Sequence, residues 1–372
     1  MIRVFEPSIT YKDKISVFKA LSRNNISGTS PIVKDFEESI SENFDREYCV
    51  AVSNGSVALD IAFKVLDLKE KDEVILPSFT IISCLSAVIR SGASPVFCDV
   101  DENTWNMSLE NVKEKITKNT KAVLMVHTYG LAAEAKKISK FCKDNNIYLI
   151  EDAAEAHGQN VEDVKCGSFG DISTFSFYAN KHITTGEGGM LLTNKEEYYN
   201  LAMKMRNLDF SKKRFLHDNL YWNYRMSSLQ ASLGISQIKN LKNVIKNKID
   251  QGTYYLELLK NYEDCLQLPL KEYQNTVNHF WVFGIVLKKD NIRDLIISDL
   301  LEQGVETRPF FWPLNLQPSL PEKYLSKNSF PVSEYLGRNG LYIPIGNHIG
   351  KADQKKIVDL LIKTIEKRST NA

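Results

Sequence analysis

The chain has 372 residues, of which 43% are hydrophobic and 25% are charged, a composition typical of a globular protein with a large core. Because this length exceeds what one hydrophobic core usually spans, we expect one large domain and a smaller one. The net charge of +1 excludes a global field that would attract nucleic acid or an anionic membrane, so substrate recognition must be local.

Helical and strand-like segments alternate from about residue 35 to about residue 240. The predicted strands are Tyr48–Val52, Glu73–Leu76, Pro95–Cys98, Ala122–His127, Ile147–Glu151, Thr174–Phe177 and Gly189–Thr193. The predicted helices between them are Glu37–Phe44, Val57–Leu66, Ile82–Ser91 and Ala132–Asp144. This alternation predicts an α/β fold with a mostly parallel sheet that is covered by helices on both faces.

The pattern changes after about residue 240. The predicted helices there are Leu241–Tyr262, Ile292–Gln303 and Ala352–Lys367, and the predicted strands are His279–Leu287 and Val305–Arg308. We therefore predict a large domain at residues 1–240, which includes the N-terminal segment, and a smaller α+β domain at residues 241–372.

Cysteine usage and the N-terminus bear on localisation. The six cysteines show neither C-x-x-C spacing nor the rhythm of a disulfide framework, which favours free thiols in a reducing compartment. The first residues lack the pattern of a signal peptide, and no apolar run approaches the ~20 residues that cross a bilayer. These features predict a cytoplasmic protein that binds neither membranes nor nucleic acid.

The run Ser53-Asn54-Gly55-Ser56 falls between a predicted strand and a predicted helix. Small residues at a helix N-terminus expose backbone N–H groups, which together with the helix dipole favour a phosphate. An ordinary helix cap by Ser56 is the commoner role for such a run.

The run from Glu151 to Gly158 places Asp152 and Glu155 at the end of a predicted strand, where α/β folds bind ligands. A carboxylate there can hold a proton on a ring nitrogen, as in sites for pyridoxal phosphate (PLP). A solvated loop or a helix cap fits these acids equally well.

The segment from Thr174 to Met190 is the most specific of the chain. A single lysine, Lys181, follows an apolar aromatic stretch and precedes a Gly-Glu-Gly-Gly turn, whereas most lysines of so Lys-rich a chain are solvated. Lysine becomes a nucleophile when its surroundings favour the neutral amine. The three runs together supply a phosphate cradle, an acid for a pyridine nitrogen and an amine for an aldehyde, which are the requirements of PLP.

Four further stretches complete a recognisable pattern: Ile26–Gly28, Asp72–Thr80, Asn223–Ala231 and Gly304–Leu314. With them the chain resembles the DegT/DnrJ/EryC1/StrS family of PLP-dependent nucleotide-sugar aminotransferases over nearly its whole length. The resemblance implies the aspartate-aminotransferase-like (type I PLP) fold with a seven-stranded, mostly parallel sheet. It also implies a homodimer with a shared active site.

The resemblance also implies a role for each matching residue. Lys181 would bind the cofactor as an imine and transfer protons, and Asp152 would pair with the pyridine nitrogen. The other implied cofactor contacts are Glu155 near the ring oxygen, Gly55, Ser56 and Ser176 at the phosphate, and Asn223 at the phosphate from the other subunit. Apart from the resemblance, we expect Arg308 to contact an anionic part of the substrate and Phe310, Phe311 and Trp312 to line the acceptor pocket. A structural ion pair of Arg308 and plain core packing of the aromatic residues are the alternatives, and no metal site is expected.

Three stretches, Asn180–Gly189, Phe280–Leu287 and Arg308–Leu314, are most similar to family members that aminate GDP-4-keto-6-deoxymannose. This similarity implies L-glutamate as the amino donor and a nucleotide-linked deoxy-sugar ketone as the acceptor, in the synthesis of surface-polysaccharide precursors. One departure is Ile81, which occupies a position where many relatives stack an aromatic residue on the cofactor ring.

Three other functions remain open at this point. A smaller phosphorylated ketone would leave the cofactor motifs unchanged. One branch of the family dehydrates sugars and has His at the lysine position, and a one-residue shift of the alignment would exchange Lys181 for His182. A non-catalytic regulator is the third, although every cofactor-binding position is filled.

Overall fold

The computed structural model of the protein describes residues 1–210, 213, 215–325 and 328–370. The α-helices are α1 (Tyr11–Ser22), α2 (Pro31–Phe44), α3 (Gly55–Val65), α4 (Ile82–Ser91), α5 (Leu109–Lys113), α6 (Ala135–Asp144), α7 (Glu196–Arg206), α8 (Ser228–Ile238), α9 (Leu241–Leu259), α10 (Arg293–Glu302), α11 (Pro331–Asn339) and α12 (Lys351–Thr370). Short 3₁₀ helices occupy Lys260–Tyr262, Leu314–Leu316 and Glu322–Tyr324.

The strands build two main sheets and two small hairpins. They are β1 (Tyr48–Val52), β2 (Glu73–Pro77), β3 (Ser94–Cys98), β4 (Thr120–Val126), β5 (Tyr148–Asp152), β6 (Asn160–Val161), β7 (Val164–Lys165), β8 (Ile172–Ser176), β9 (Gly189–Thr193), β10 (Leu266–Gln267), β11 (Glu272–Tyr273), β12 (Thr276–Val277), β13 (Phe283–Leu287), β14 (Arg308–Pro309) and β15 (Gly340–Ile343).

The first sheet has seven strands in the order β1-β9-β8-β5-β4-β2-β3. Only β9 runs against its neighbours, and the β2–β3, β2–β4, β4–β5 and β5–β8 pairs are parallel. Because the strands are buried on both faces, their sequences are near-continuous apolar runs. For this reason most predicted strands lie within two residues of the observed strand at each end. The predicted α/β class with a mostly parallel sheet is confirmed.

The parallel arrangement places several turns on one edge of this sheet. The strands β1, β2, β5 and β8 all end at that edge. Asp152 and Ser176 are the last residues of β5 and β8, and α3 begins at Gly55, three residues after β1 ends. The carboxyl edge of a parallel sheet is where α/β folds bind ligands.

The second sheet is antiparallel, with the order β10-β13-β15-β14, and packs with α9, α10 and α12 around its own core. The predicted boundary at 240/241 falls between α8 and α9, and the division into two domains remains a prediction. The N-terminal segment contacts this second unit, since the backbone of Ile2 bonds Gly304 and Glu306 and the Val4 carbonyl accepts from Ile345.

Two predicted strands near the second sheet are wrong in extent. The strand predicted from His279 begins only at Phe283, because Phe280 adopts a positive φ of 46° and its N–H bonds the Asn278 side chain at 2.7 Å. Within the predicted strand Val305–Arg308, Val305 forms only an isolated bridge to Ile2, and β14 begins at Arg308. The first of these segments places Trp281 in the lining of the cavity described below.

None of the helices in the described part of the chain combines the length and the apolar character that a bilayer crossing requires.

Candidate active site

A cavity of about 510 Å³ opens at the carboxyl edge of the first sheet. Seven of the residues proposed from the sequence line it: Gly55, Ser56, Asp152, Glu155, Ser176, Lys181 and Phe311. The cavity is thus built from the turn before α3, the end of β5, the turn after β8 and residues that precede or belong to the second sheet. Residues more than 250 positions apart in the sequence meet there.

The start of α3 forms one end of the cavity. The Asn54 side chain caps the helix by accepting from the Val57 N–H at 3.0 Å, so Ser56 is not the capping residue. The Ser56 hydroxyl instead lies 2.7 Å from the hydroxyl of Ser83. A Cβ at position 55 would lie 2.8 Å from the Cβ of Ser176, so glycine is needed for this close approach. The hydroxyl-bearing residues Ser56 and Ser176 therefore lie at the N-terminus of α3, an arrangement suited to a phosphate.

Asp152 is only 4% exposed at the end of β5. One carboxylate oxygen accepts from the Ala154 N–H at 3.1 Å, and the other lies 3.4 Å from the thiol of Cys84. Burial raises the pKa of Asp152, while the Ala154 N–H and the charge of Lys181 act in the opposite direction. A buried carboxylate of this kind gains most from a cationic N–H partner placed in the cavity.

Lys181 lies in the turn between β8 and β9. Its backbone N–H bonds the Tyr178 carbonyl at 3.0 Å, and Gly186 closes the turn with a φ of +82°. The amine reaches back into the cavity, 3.2 Å from the Glu155 carboxylate, and both side chains are 9% exposed. Burial raises the pKa of Glu155, and the neighbouring Lys181 opposes this effect.

The position of His182 distinguishes the two candidates for the reactive residue of this turn, Lys181 and His182. Its ring is buried, lies outside the lining of the large cavity, and faces a second, much smaller cavity behind Lys181. Burial holds the pKa of His182 well below its usual value. Of these two side chains, only that of Lys181 therefore lines the large cavity.

Tyr129 and Trp281 form an aromatic wall that the sequence did not predict. The Tyr129 N–H donates to Glu155 at 2.9 Å, and its hydroxyl accepts from the Phe311 N–H at 3.0 Å. The ring of Trp281 lies beside that of Tyr129, with centroids 6.0 Å apart, and its face lies 3.8 Å from the Lys181 amine. The Trp281 ring lines the cavity, and the buried Tyr129 packs against it.

Three predicted site residues do not line the cavity in the same chain. Arg308 forms an ion pair with Glu306 at 2.7 Å and leaves about half of its side chain exposed. Trp312 is 42% exposed and donates to the Leu316 carbonyl at 3.2 Å. Asn223 is exposed as well. Their functional roles stay predictions, and for Arg308 the geometry matches the structural alternative.

The neighbouring aromatic positions differ in their surroundings. Phe310 is 4% exposed and packs on Trp105 and Tyr129, so it is a core residue. Phe311 reaches the cavity. Ile81 lines the cavity and is 42% exposed.

One group in the described part of the chain has the spacing of metal ligands, namely His127, Glu151 and Cys166, whose ligand atoms lie within 4.8 Å of one another. Protein hydrogen bonds already occupy this group. The Glu151 carboxylate accepts from three backbone N–H groups and from the hydroxyl of Ser173, and His127 accepts from the Ala133 N–H. We therefore assign no metal to it, and the absence of a metal site remains a prediction.

Comparison with known proteins identifies the family. A family model described as the DegT/DnrJ/EryC1/StrS aminotransferase family matches residues 8–362. The chain belongs to the DegT/DnrJ/EryC1/StrS aminotransferase family. It is 36% identical to a GDP-perosamine synthase from Escherichia coli O157:H7 over 92% of this chain and 93% of that protein, and 35% identical to one from Vibrio cholerae over 92% and 94%. The crystal structure of the aminotransferase TlmJ from Streptoalloteichus hindustanus superposes with a TM-score of 0.93 at 26% identity, covering 99% of this chain and 100% of that one.

DegT/DnrJ/EryC1/StrS aminotransferases depend on PLP. The cavity fits this cofactor on three structural grounds. The α3 N-terminus with Ser56 and Ser176 suits a phosphate, the buried Asp152 suits a protonated ring nitrogen, and the Lys181 amine suits an aldehyde. The predicted cofactor is thus confirmed at the level of the family, whereas the individual contacts remain proposals.

Proposed function

We propose that this enzyme uses PLP to transfer an amino group from L-glutamate to the keto group of a nucleotide-linked deoxy sugar. The acceptor that we propose first is GDP-4-keto-6-deoxymannose. The observation that supports it best is the single cavity shared by the Lys181 amine, the buried Asp152 carboxylate and the α3 N-terminus. Similarity to two GDP-perosamine synthases over more than nine-tenths of the chain supports the acceptor.

PLP, when bound, supplies an electron sink for the pair left behind as an amino acid loses its α-proton. Gly55, Ser56 and Ser176 would bind the phosphate, and Asp152 would hold a proton on the ring nitrogen. Because Asp152 is almost fully buried, its charge acts through a medium of low dielectric constant and favours that proton strongly.

Lys181 has two tasks in this proposal. It would bind the cofactor covalently between turnovers, and its free Nζ would carry a proton from the α-carbon of the amino donor. Glu155, 3.2 Å away, orients Nζ, and Tyr129 in turn fixes the second oxygen of Glu155. The Lys181 side chain is only 9% exposed, which limits the access of water to Nζ.

A panel of ketones tests the acceptor. The enzyme would first be converted by L-glutamate and then offered GDP-4-keto-6-deoxymannose, the corresponding dTDP-linked ketone or a small phosphorylated ketone. We expect return of the starting cofactor spectrum at least about tenfold faster with the GDP sugar, because the nucleotide supplies most of the binding energy. Faster return with the small phosphorylated ketone would replace this proposal with the smaller-substrate alternative. Dehydration of the sugar without consumption of glutamate would favour the dehydratase.

We further propose a homodimer in which Asn223 completes the phosphate site of the partner subunit. Asn223 is exposed and lies outside the cavity of its own chain. Large apolar side chains around it are also exposed: Phe210, Phe215, Leu216, Leu220 and Trp222. A patch of this kind on a protein surface marks an interaction site, and a second copy of the chain would cover it.

Subunit complementation tests the shared site. We expect Lys181→Ala and Asn223→Asp to be inactive separately, whereas mixed dimers regain roughly a quarter of wild-type activity, because half of the dimers are hybrids with one intact site each. Hybrid dimers can be counted by native mass spectrometry with a tag on one variant. Hybrids without activity would place Asn223 in the site of its own chain, and a monomeric protein would exclude the shared site altogether.

A cytoplasmic localisation remains a prediction. All six cysteines are unpaired, and five of them are buried, as expected in a reducing compartment.

A further inference from the structure

Trp281 contacts Lys181 in two ways. The face of its indole ring lies 3.8 Å from the Lys181 amine, a distance at which an aromatic ring attracts an ammonium group. Its indole N–H donates to the carbonyl of Asn180, the residue before Lys181, at 3.0 Å. One side chain therefore binds both the reactive amine and the backbone that carries it.

The backbone of Trp281 is itself held firmly. Phe280 has a positive φ, and its N–H bonds Asn278. Gly130 packs so tightly on the Trp281 N–H that an added Cβ would lie 2.4 Å from that nitrogen. The segment cannot shift without disturbing the turn at Gly130. The carbonyl of Gly130 also accepts a hydrogen bond from the His279 N–H.

Lys248 of α9 provides the third support. Its half-buried side chain donates from the amine to the Trp281 carbonyl at 3.0 Å and to the Ile345 carbonyl at 3.2 Å. Burial lowers the pKa of Lys248 to about 7. Because both the ammonium and the neutral amine have at least two N–H groups, both forms can satisfy the two carbonyls. Lys248 thus connects Trp281 to Ile345, two residues after β15, and both Lys248 and Ile345 line the small cavity.

Glu155 and Trp281 interact with the Lys181 amine in different ways. Glu155 accepts a hydrogen bond and is itself able to take the proton, whereas the indole face attracts the charged amine without accepting its proton. The other titratable groups whose charges interact with that of Lys181 are Asp152 and the buried His157. A catalytic amine that is released and recaptured in each turnover benefits from a partner that holds it without reacting.

We propose that Trp281 and Lys248 are positioning residues: the Trp281 ring holds the Lys181 amine whenever it is released from the cofactor, and Lys248 fixes the backbone of Trp281. This inference rests on the proposed role of Lys181. It assigns a function to a half-buried lysine that the reaction itself does not use.

Acetylation of Lys181 in the cofactor-free enzyme tests the proposal. The rate is followed by peptide mass spectrometry over a range of pH and divided by its limiting alkaline value, which corrects for changes in access. We expect Trp281→Leu to raise this ratio at neutral pH about 3- to 10-fold, because loss of the ring leaves more neutral amine. Trp281→Phe, with a weaker ring, should lie between. An unchanged ratio in both variants would overturn the role of the ring.

Two variants of Lys248 test whether its hydrogen bonds fix the backbone of Trp281. Lys248→Gln keeps N–H donors for the carbonyls and removes the charge, whereas Lys248→Met removes both. We expect Gln to match the wild type and Met to raise the acetylation ratio, with a lower kcat for the loaded enzyme and little change in KM. If Gln behaves like Met, charge rather than hydrogen bonding is responsible and the proposal is wrong.

The acetylation assay also separates this inference from the proposed function. It needs neither cofactor nor substrate, so the Trp281 series can behave as expected in an enzyme that fails to react with glutamate. That combination would reject the proposed donor and leave the positioning roles intact.

Discussion

Replacement of Lys181 by Ala should abolish turnover, with a loss of at least about 10⁴-fold, since both covalent binding and proton transfer depend on one amine. Borohydride treatment of the loaded wild-type enzyme should fix the cofactor on the peptide that contains Lys181, and the variant should show no such label. The expected loss is the largest for any single substitution in the cavity, because Lys181 supplies the only amine that lines it among the described residues.

Lys64→Ala is the matched control for this experiment. Lys64 is exposed on α3, the same helix whose N-terminus forms the phosphate end of the cavity. The control should keep wild-type turnover and labelling. Labelling of another lysine in the Lys181 variant, with turnover intact, would show that the assignment of the reactive amine is wrong.

Asp152→Asn should lower kcat about 10²- to 10³-fold and weaken cofactor binding by less than about tenfold. The substitution keeps the size of the side chain and its capacity to accept from the Ala154 N–H, but it removes the charge that favours a protonated ring nitrogen. The effect should therefore fall on the rate rather than on the anchoring of the cofactor, which the phosphate site and Lys181 provide.

Asp171→Asn is the control for the Asp152 variant. Asp171 lies one residue before β8, accepts from the Leu149 N–H at 2.9 Å and is not part of the cavity lining. Turnover should be unaffected. Near wild-type turnover in Asp152→Asn itself, measured alongside cofactor affinity by titration, would remove Asp152 from its proposed role.

The part of the site that the sequence predicted lies at strand ends. Gly55, Asp152 and Lys181 each follow or end a strongly apolar strand, and parallel strands of one sheet bring their carboxyl ends to one edge. Local pattern and this rule are sufficient to place the three together. The family resemblance then supplies their chemical roles.

The aromatic wall could not be predicted in the same way. Tyr129 reaches Glu155 because β4 is the neighbour of β5, an order that no local pattern specifies. Trp281 lies inside what the alternation of apolar residues predicts as a strand, where a large aromatic residue reads as core. The positive φ of Phe280 ends that pattern and turns the indole toward Lys181.

The Cys84 thiol and the Arg308 guanidinium have contacts in the structure that the sequence pattern does not indicate. Cys84 carries no signal in the sequence, since a buried cysteine usually behaves as a small apolar residue, yet it lies 3.4 Å from Asp152. The charge of Arg308 suggests a substrate contact, which stays a prediction. The structure adds an ion pair with Glu306, two residues away on the same side of an extended segment.

We propose that this enzyme takes an amino group from L-glutamate through a cofactor bound at Lys181. The visible spectrum of the purified enzyme with PLP during addition of L-glutamate tests this step. We expect the yellow absorption of the bound cofactor to disappear and one equivalent of 2-oxoglutarate to be released per site. A yellow enzyme with Lys181 intact that no amino donor bleaches would contradict it.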